Sequence, residues 1–307
     1  MKPLRIGTRG SALALYQAGL VQDMLRAALP EREVEIVVIQ SLGDLVPDRP
    51  LDSLGQPGIF THAIEAALHA GSVDLAVHSA KDLPSTLDER FVLVASLARE
   101  DPHDCLVSRE SLSLDRFTPG ATIGTGSPRR AAQLRLLRPD LEYVPIRGNV
   151  DTRRRKAFDG QVDAVVLAAA GLRRLGLYDH TAVPLPYGIC LPQAGQGIIA
   201  VEARAGDERV ALALVAIDDP EASTCLAAER AVLAGLSAGC QAPVAAFARL
   251  DGDKLQVQGL VVGPHGAIRA EREGHIARAW QLGAAVAAAL RQAGAEQELA
   301  GARADGG

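Results

Sequence analysis

The segment His78-Ser79-Ala80-Lys81-Asp82-Leu83-Pro84 sets an imidazole, a hydroxyl, an ammonium and a carboxylate directly after the strand-like run Asp74 to His78. The carboxyl ends of strands are where open α/β sheets bind ligands. Asp82 at such a place suits acid–base work or the stabilisation of a cation. Lys81 suits a carboxylate partner or, if buried, a Schiff base. The same spacing also fits a turn in which Asp82 caps backbone N–H groups.

A second source of chemistry is charge. Between Arg129 and Lys156 stand nine basic residues (Arg129, Arg130, Arg135, Arg138, Arg147, Arg153, Arg154, Arg155 and Lys156) and three acidic ones (Asp140, Glu142 and Asp151), in a chain whose net charge is -5. A local excess of that size asks for an anionic ligand, although a solvated helix face also collects like charges. Arginine forks suit bidentate carboxylates, and charge alone would accept phosphate as well. A third source is Cys240, in the Gly/Pro-rich turn Ser237-Ala238-Gly239-Cys240-Gln241-Ala242-Pro243. A lone cysteine is usually buried and inert, but a thiol on such a turn is better exposed for covalent chemistry. The other cysteines, Cys105, Cys190 and Cys225, form no CxxC pair and have no histidine at metal spacing. Neither a disulfide framework nor a zinc site is expected.

These residues need elements to hold them. Leu4 to Gly7 reads as a buried strand that runs into Thr8-Arg9-Gly10-Ser11, where Ser11 can cap a helix that Pro30 closes. Val34 to Ile39 reads as a strand, residues 42–57 as a Gly/Pro-punctuated loop, Phe60 to His69 as a helix and Asp74 to His78 as a strand. That βαβαβ order predicts a mainly parallel sheet. The pattern then restarts. A strand leads into Gly124-Thr125-Gly126-Ser127, Pro128 takes the first helical position, and the helix runs to about Arg138. Leu141 to Ile146 and Val162 to Leu167 read as strands, with a helix that Asn149 can cap between them. Ile6-Gly7-Thr8 echoes Ile123-Gly124-Thr125. Two similar α/β lobes facing a cleft are expected, each with a Gly/Ser turn whose free N–H groups suit carboxylates or phosphates.

Gln196 to Ala203 reads as a strand returning to the first lobe, and residues 219–236 as a helix. Beyond them, Ala245 to Leu250, Leu255 to Val262 and Ile268 to Gly274 alternate like antiparallel strands, and Ala277 to Ala293 is an Ala-rich helix. The expected domains are 1–97 with 197–215, 98–196, and a small α+β domain over 216–307. The last of these ends in a frayed tail from Gly294 to Gly307.

Bulk properties narrow the function. Hydrophobic residues are 48% and charged residues 22%, a globular balance. Aromatics at 3% are too few for base-stacking platforms. An acidic chain does not attract nucleic acid or an anionic membrane. The N-terminal residues show no leader pattern, and no charge-free apolar run reaches membrane-spanning length. A cytoplasmic protein is the expectation.

The motifs together resemble the porphobilinogen deaminase (hydroxymethylbilane synthase) family. Six stretches carry the likeness, in order along nearly the whole chain. They are Gly7-Thr8-Arg9-Gly10-Ser11-x-Leu13-Ala14, His78-Ser79-x-Lys81-Asp82-x-Pro84, Gly124-Thr125-Gly126-Ser127-Pro128-Arg129-Arg130, Arg147-Gly148-Asn149-Val150-x-Thr152-Arg153, Ala170-Gly171-Leu172-x-Arg174-Leu175 and Gly239-Cys240-Gln241-x-Pro243. The resemblance implies two lobes of periplasmic-binding-protein type and a third domain with the cysteine. It implies a transferase of porphyrin, heme and tetrapyrrole biosynthesis that joins four porphobilinogen molecules head to tail, releases ammonia at each step and hydrolyses off the linear product. It implies a dipyrromethane cofactor held by a thioether to Cys240, and Asp82 as the catalytic carboxylate that contacts pyrrole N–H groups and stabilises the cation left when the amine departs. Cofactor-binding positions fall on Ser79, Lys81, Thr125, Ser127, Arg129, Arg130, Arg147 and Gln196. Substrate-binding positions fall on Arg9, Ser11, Arg147, Arg153 and Arg174, and no metal is implied. Each ring carries an acetate and a propionate, which accounts for the arginines. The chain departs from the family where Ser53 and Pro57 replace common lysines, where His62 stands for a further one, and where Pro128 replaces a more frequent leucine. Two other readings use the same residues: a solute-binding protein for an anionic ligand, and a paralogue that binds tetrapyrroles without making them.

Overall fold

A computed structural model describes residues 2–40, 61–239 and 242–304. The chain divides into two compact units, Met1–Glu100 with Ile198–Ser223, and Asp101–Gly197 with Thr224–Gly307.

The first unit is built on a five-stranded sheet. Strands β1 (Leu4–Thr8), β2 (Val34–Val38) and β3 (Leu75–Ser79) run parallel, with β1 between the other two. The returning strand β10 (Ile199–Arg204) lies antiparallel between β3 and β4 (Phe91–Ser96). Helix α1 (Ala12–Ala28) turns Ala18, Val21 and Leu25 onto Leu4, Ile6 and Val77, a helical repeat packed on one sheet face. Helix α2 (His62–His69) covers the other face, with Ile64 and Leu68 against Val73, Ala76 and Phe91. The expected helix start at Phe60 lies outside the described residues, and Thr61 occupies the N-cap position.

The second unit contains a sheet of the same order. Strands β6 (Thr122–Gly124), β7 (Glu142–Val144) and β8 (Ala164–Ala168) are parallel, with β6 in the middle, and β5 (Asp104–Val107) lies antiparallel between β8 and β9 (Ala182–Leu185). The match extends to register. Ile6 and Gly7 pair with Leu75 and Ala76, and Ile123 and Gly124 pair with Ala164 and Val165. The echo in the sequence therefore marks equivalent strand ends in two copies of one topology. Helices α3 (Pro128–Leu137), α4 (Val150–Phe158) and α5 (Ala169–Arg174) belong to this sheet's connections.

The same unit holds a three-stranded antiparallel sheet of β11 (Val244–Asp251), β12 (Lys254–Gly263) and β13 (Gly266–His275). Helices α7 (Pro220–Gly235) and α8 (Ala279–Gln292) pack on one face of it through Ala228, Val232, Val286 and Leu290. They cross so closely that a Cβ on Gly283 would meet the Ala228 carbonyl at 2.1 Å. The opposite face buries Ala245, Phe247, Leu260 and Val262 with Leu191, and Tyr187 stacks between His103 and Phe247.

Three expectations need correction. Residues 295–304, expected to fray, form α9 (Ala295–Ala304), a helix whose Ala295 and Leu299, one turn apart, enter the core. Glu298 ties it down by accepting the His265 N–H at 3.1 Å. The strand expected to begin at Gln196 begins at Ile199, because Gly195 and Gly197 adopt φ of +74° and +89° and turn the chain there. Helix α6 (Glu208–Val215) was not anticipated, although Asp207 caps it by accepting from the Val210 N–H and Val210 and Leu214 repeat with helical spacing. Among the described residues no helix is long and apolar enough to cross a membrane.

Candidate functional site

Two groups of the singled-out residues form in the two units. In the first, β3 delivers His78 and Ser79 and then tightens into a 3-10 turn over Ala80–Asp82. The Ala80 N–H donates to the Ile198 carbonyl at 3.0 Å, and the Leu83 N–H donates to the Ala80 carbonyl at 3.3 Å. Neighbouring strand residues point to opposite faces, so Ser79 meets α1 while His78 meets the α2 side. Gln17, buried on α1, donates to Ser79 Oγ at 2.8 Å. Ser11 caps α1 by accepting from the Ala14 N–H at 3.3 Å. Arg9, Ser11, Gln17, His78, Ser79 and Asp82 line one pocket. Lys81 lies on the same turn, half-buried.

Asp82 decides between two expectations. Its side chain is exposed and caps no backbone N–H among the described residues, since the turn's hydrogen bond is backbone to backbone. The carboxylate is left to the pocket. The lining thus combines a guanidinium, the hydroxyls of Ser11, Thr61 and Ser79, an amide, an imidazole and a carboxylate: donors for an acidic ligand beside an acceptor for N–H groups or a cation.

In the second unit the chain turns through Thr125-Gly126-Ser127 into α3. Thr125 Oγ1 accepts the Ser127 N–H at 3.2 Å, Ser127 is the N-cap residue and Pro128 is the first helical residue. The first turn of α3 carries Arg129 and Arg130 inward rather than to solvent, 2% and 6% exposed. Both reach Asp104 at the start of β5, itself 0% exposed. Arg129 Nη2 donates to Asp104 Oδ2 at 2.7 Å, while Arg130 Nε and Nη2 donate to Oδ1 at 2.9 and 2.6 Å. Gln196 adds a third donating residue at 2.9 Å. Arg129 Nη1 donates to the Leu191 carbonyl at 2.6 Å and Arg130 Nη1 to the Val166 carbonyl at 2.9 Å, while Arg129 Nε is buried with no partner among the described residues. Burial alone would raise the Asp104 carboxyl, but the two guanidinium charges and these hydrogen bonds outweigh it and hold the group well below the usual carboxylate range.

The other expected binding arginines divide. Arg153 Nε donates to the Gly148 carbonyl at 2.6 Å, and Arg174 Nη2 to the Gly197 carbonyl at 2.6 Å. Arg154 pairs with Asp179 at 2.6 Å and stacks over Phe158. Arg147 is half-buried, and its guanidinium has no hydrogen bond or ion pair among the described residues. Gly148, next to it, has φ +112°, and a Cβ there would meet Thr152 Cγ2 at 2.7 Å. Gly148→Ala should cost about 1–3 kcal/mol, read as a lower Tm. Adding Thr152→Ala should recover only a part of this, because the strained φ and the 2.9 Å approach of the Cβ at position 152 both remain. Asn149 takes the N-cap position of α4 without the side-chain hydrogen bond expected of it.

Cys240, Ser53 and Pro57 lie outside the described residues. His62 is exposed, with Nδ1 3.5 Å from Glu65 Oε2. Cys105, Cys190 and Cys225 are buried, and burial pushes the Cys105 and Cys190 thiols up to about 12, which keeps them protonated. Sequence reasoning missed Asp104, Gln17 and the pairing of His78 with Glu202. Asp104 stands at the head of the apolar run Cys105-Leu106-Val107, where nothing local announces a partner.

Comparison with known proteins adds a family. Residues 4–212 match the family model described as porphobilinogen deaminase, dipyromethane cofactor binding domain, and residues 223–292 match porphobilinogen deaminase, C-terminal domain. A porphobilinogen deaminase from Roseiflexus castenholzii is 48% identical over 299 residues, covering 97% of this chain and 99% of the relative. One from Syntrophus aciditrophicus is 45% identical, covering 95% and 96%. Among solved structures, the periplasmic VFT2 domain of BvgS from Bordetella pertussis aligns with 70% of this chain and 86% of its own, at 16% identity and a TM-score of 0.42.

Proposed function

The chain belongs to the porphobilinogen deaminase family, and from that premise we propose that Asp82 is the carboxylate on which its chemistry turns. The reaction joins four porphobilinogen molecules head to tail with loss of ammonia and releases the linear tetrapyrrole by hydrolysis. The observation that carries the role of Asp82 is its carboxylate, unbonded among the described residues, in a pocket whose lining includes Arg9, Ser11, Gln17, His78 and Ser79. Loss of an amine from an aminomethylpyrrole leaves an electron-poor carbon and ring nitrogen. A fixed carboxylate is the complement of that charge, and in protonated form it assists the leaving amine. Arg9 and the Ser11 and Ser79 hydroxyls are donors suited to ring acetate and propionate groups, and Gln17 keeps the Ser79 hydroxyl in place.

The family's dipyrromethane fits this wall: pyrrole N–H groups find an acceptor and side-chain carboxylates find donors. When bound, it supplies the free pyrrole α-position to which the first substrate is joined. We assign its thioether attachment to Cys240. Arg147, whose guanidinium is unpaired among the described residues, is the ligand-binding arginine this reading favours, and Arg153 and Arg174 are read in the same role. Lys81, Thr125 and Ser127 are read as further cofactor contacts. Arg129, Arg130 and Gln196 reach ligands in this reading only with what Asp104 leaves over, so their first contribution is to hold the α3 turn. The three-domain division remains our reading and is supported by the three separate sheets. We read the protein further as a transferase, a cytoplasmic monomer that binds neither nucleic acid nor membrane.

The test is turnover. Purified protein given porphobilinogen should release ammonia in step with its consumption and form a linear tetrapyrrole. Reversible binding of porphobilinogen with no ammonia would instead leave an anion-binding protein.

A further inference from the structure

His78 and Glu202 form a buried pair that the chemistry assigned to Asp82 leaves unused. His78 is 5% exposed and Glu202 0%. Their meeting follows from register. Glu202 on β10 stands opposite Ala76 on β3, so Glu202 and His78 are diagonal neighbours on the face that α2 covers. His78 Nε2 lies 3.1 Å from Glu202 Oε2. The other carboxylate oxygen, Oε1, is buried with no partner among the described residues. Burial, and then the charge of Glu202, pushes the nearby Glu65 carboxyl on α2 up. A Glu202 carboxylate that accepts from Nε2–H leaves the ring's lone pair on Nδ1. No hydrogen bond engages Nδ1 among the described residues. His78 is also a wall of the pocket that holds Asp82.

We propose that Glu202 is a positioning residue that holds His78 with Nδ1 basic, and that Nδ1 takes the proton a substrate pyrrole's free α-carbon loses when the next substrate is joined to it. The step rests on the porphobilinogen reading above. Once the new carbon–carbon bond has formed, the α C–H bond breaks and its electron pair restores the aromatic ring. The proton passes to Nδ1 and returns from there to Asp82, which gave one to the leaving amine, so the cycle releases ammonia and restores both groups. A carboxylate that balances a cation loses that role if it also takes the proton directly. A second base in the same pocket removes the conflict and keeps Asp82 ionised for as long as the cation persists.

Glu202→Gln tests this because it keeps the shape and an acceptor for Nε2 while removing the charge. Two readouts apply. In 15N-histidine NMR of the protein without substrate, His78 should be the Nε2–H tautomer in the wild type and a mixture in the variant. With porphobilinogen deuterated at the free α-carbon, the variant should lose about a hundredfold in kcat with little change in KM, and its isotope effect should exceed that of the wild type. A variant with wild-type kcat, or with lowered kcat and no larger isotope effect, would overturn the proposal. Should Glu202→Gln not fold, His78→Gln retains an N–H donor for Glu202 without a base and should show the same isotope signature. A wild type that consumes no porphobilinogen removes the function itself, whereas an intact wild-type rate with an unchanged isotope effect in both variants removes only the role of His78.

Discussion

Asp82→Asn should leave a folded protein that has lost on the order of a thousandfold in kcat, since both charge stabilisation and proton donation to the leaving amine depend on the carboxylate. The side chain is exposed and bonds to nothing among the described residues, so the change should cost less than about 0.5 kcal/mol of stability and leave Tm nearly untouched. Asn keeps the size and can still accept from an N–H group, so binding should fall less than turnover. Steady-state kinetics together with thermal unfolding separate these effects. Near-normal kcat in the variant would remove Asp82 from the mechanism. A fall in Tm matching the fall in kcat would mean that the turn after β3, rather than the charge, had been lost.

The opposite signature is expected at Asp104. Asp104→Asn should strip about 3–5 kcal/mol from stability, because it leaves two buried guanidinium groups without their counter-charge. In a chain of this size that is a fall in Tm of roughly 10 °C. Replacing Arg129 alone should cost a similar amount, and the double replacement less than the sum, because the two share one carboxylate. The pair also predicts how stability follows pH. The folded pKa of Asp104 lies below its unfolded value, so the carboxylate adds stability above the ordinary aspartate range near pH ~4. That contribution is lost as the pH falls through the lower folded value. Wild-type Tm should therefore drop on acidification through this window by more than that of Asp104→Asn. Parallel Tm curves for the two proteins would show that the pair carries no net charge effect.

These two aspartates mark how far the sequence could be read. The placement of Asp82 was legible because a strand followed by a turn puts it past the carboxyl end of the sheet. The caps were legible for the same local reason: Ser11 before an apolar repeat, and Ser127-Pro128 before α3. The doubled lobe was legible in Ile6-Gly7-Thr8 and Ile123-Gly124-Thr125, since glycine is what close strand packing demands at both places. A Cβ on Gly7 would meet Val73 at 3.0 Å, and one on Gly124 would meet Ile146 at 3.1 Å. Asp104 was not legible. Its partners are 25, 26 and 92 residues away, and pairing across such distances is set by tertiary packing rather than by local pattern. The arginine run shows the same limit from the other side. Sequence counts its charges alike, yet Arg129 and Arg130 are internal struts, Arg154 is a surface pair, and Arg147 is left unpaired among the described residues. Helix α9 escaped because its alanines and glycines look like a loose tail until Ala295 and Leu299 find the core.

The central claim is that this chain builds its product on pyrroles it carries covalently at Cys240. Intact mass of freshly purified protein, taken under denaturing conditions, tests it most directly. The account predicts an excess equal to two linked pyrrole units, absent from Cys240→Ser. An unmodified wild-type mass that stays unchanged after incubation with porphobilinogen, or an excess that persists in Cys240→Ser, would contradict it.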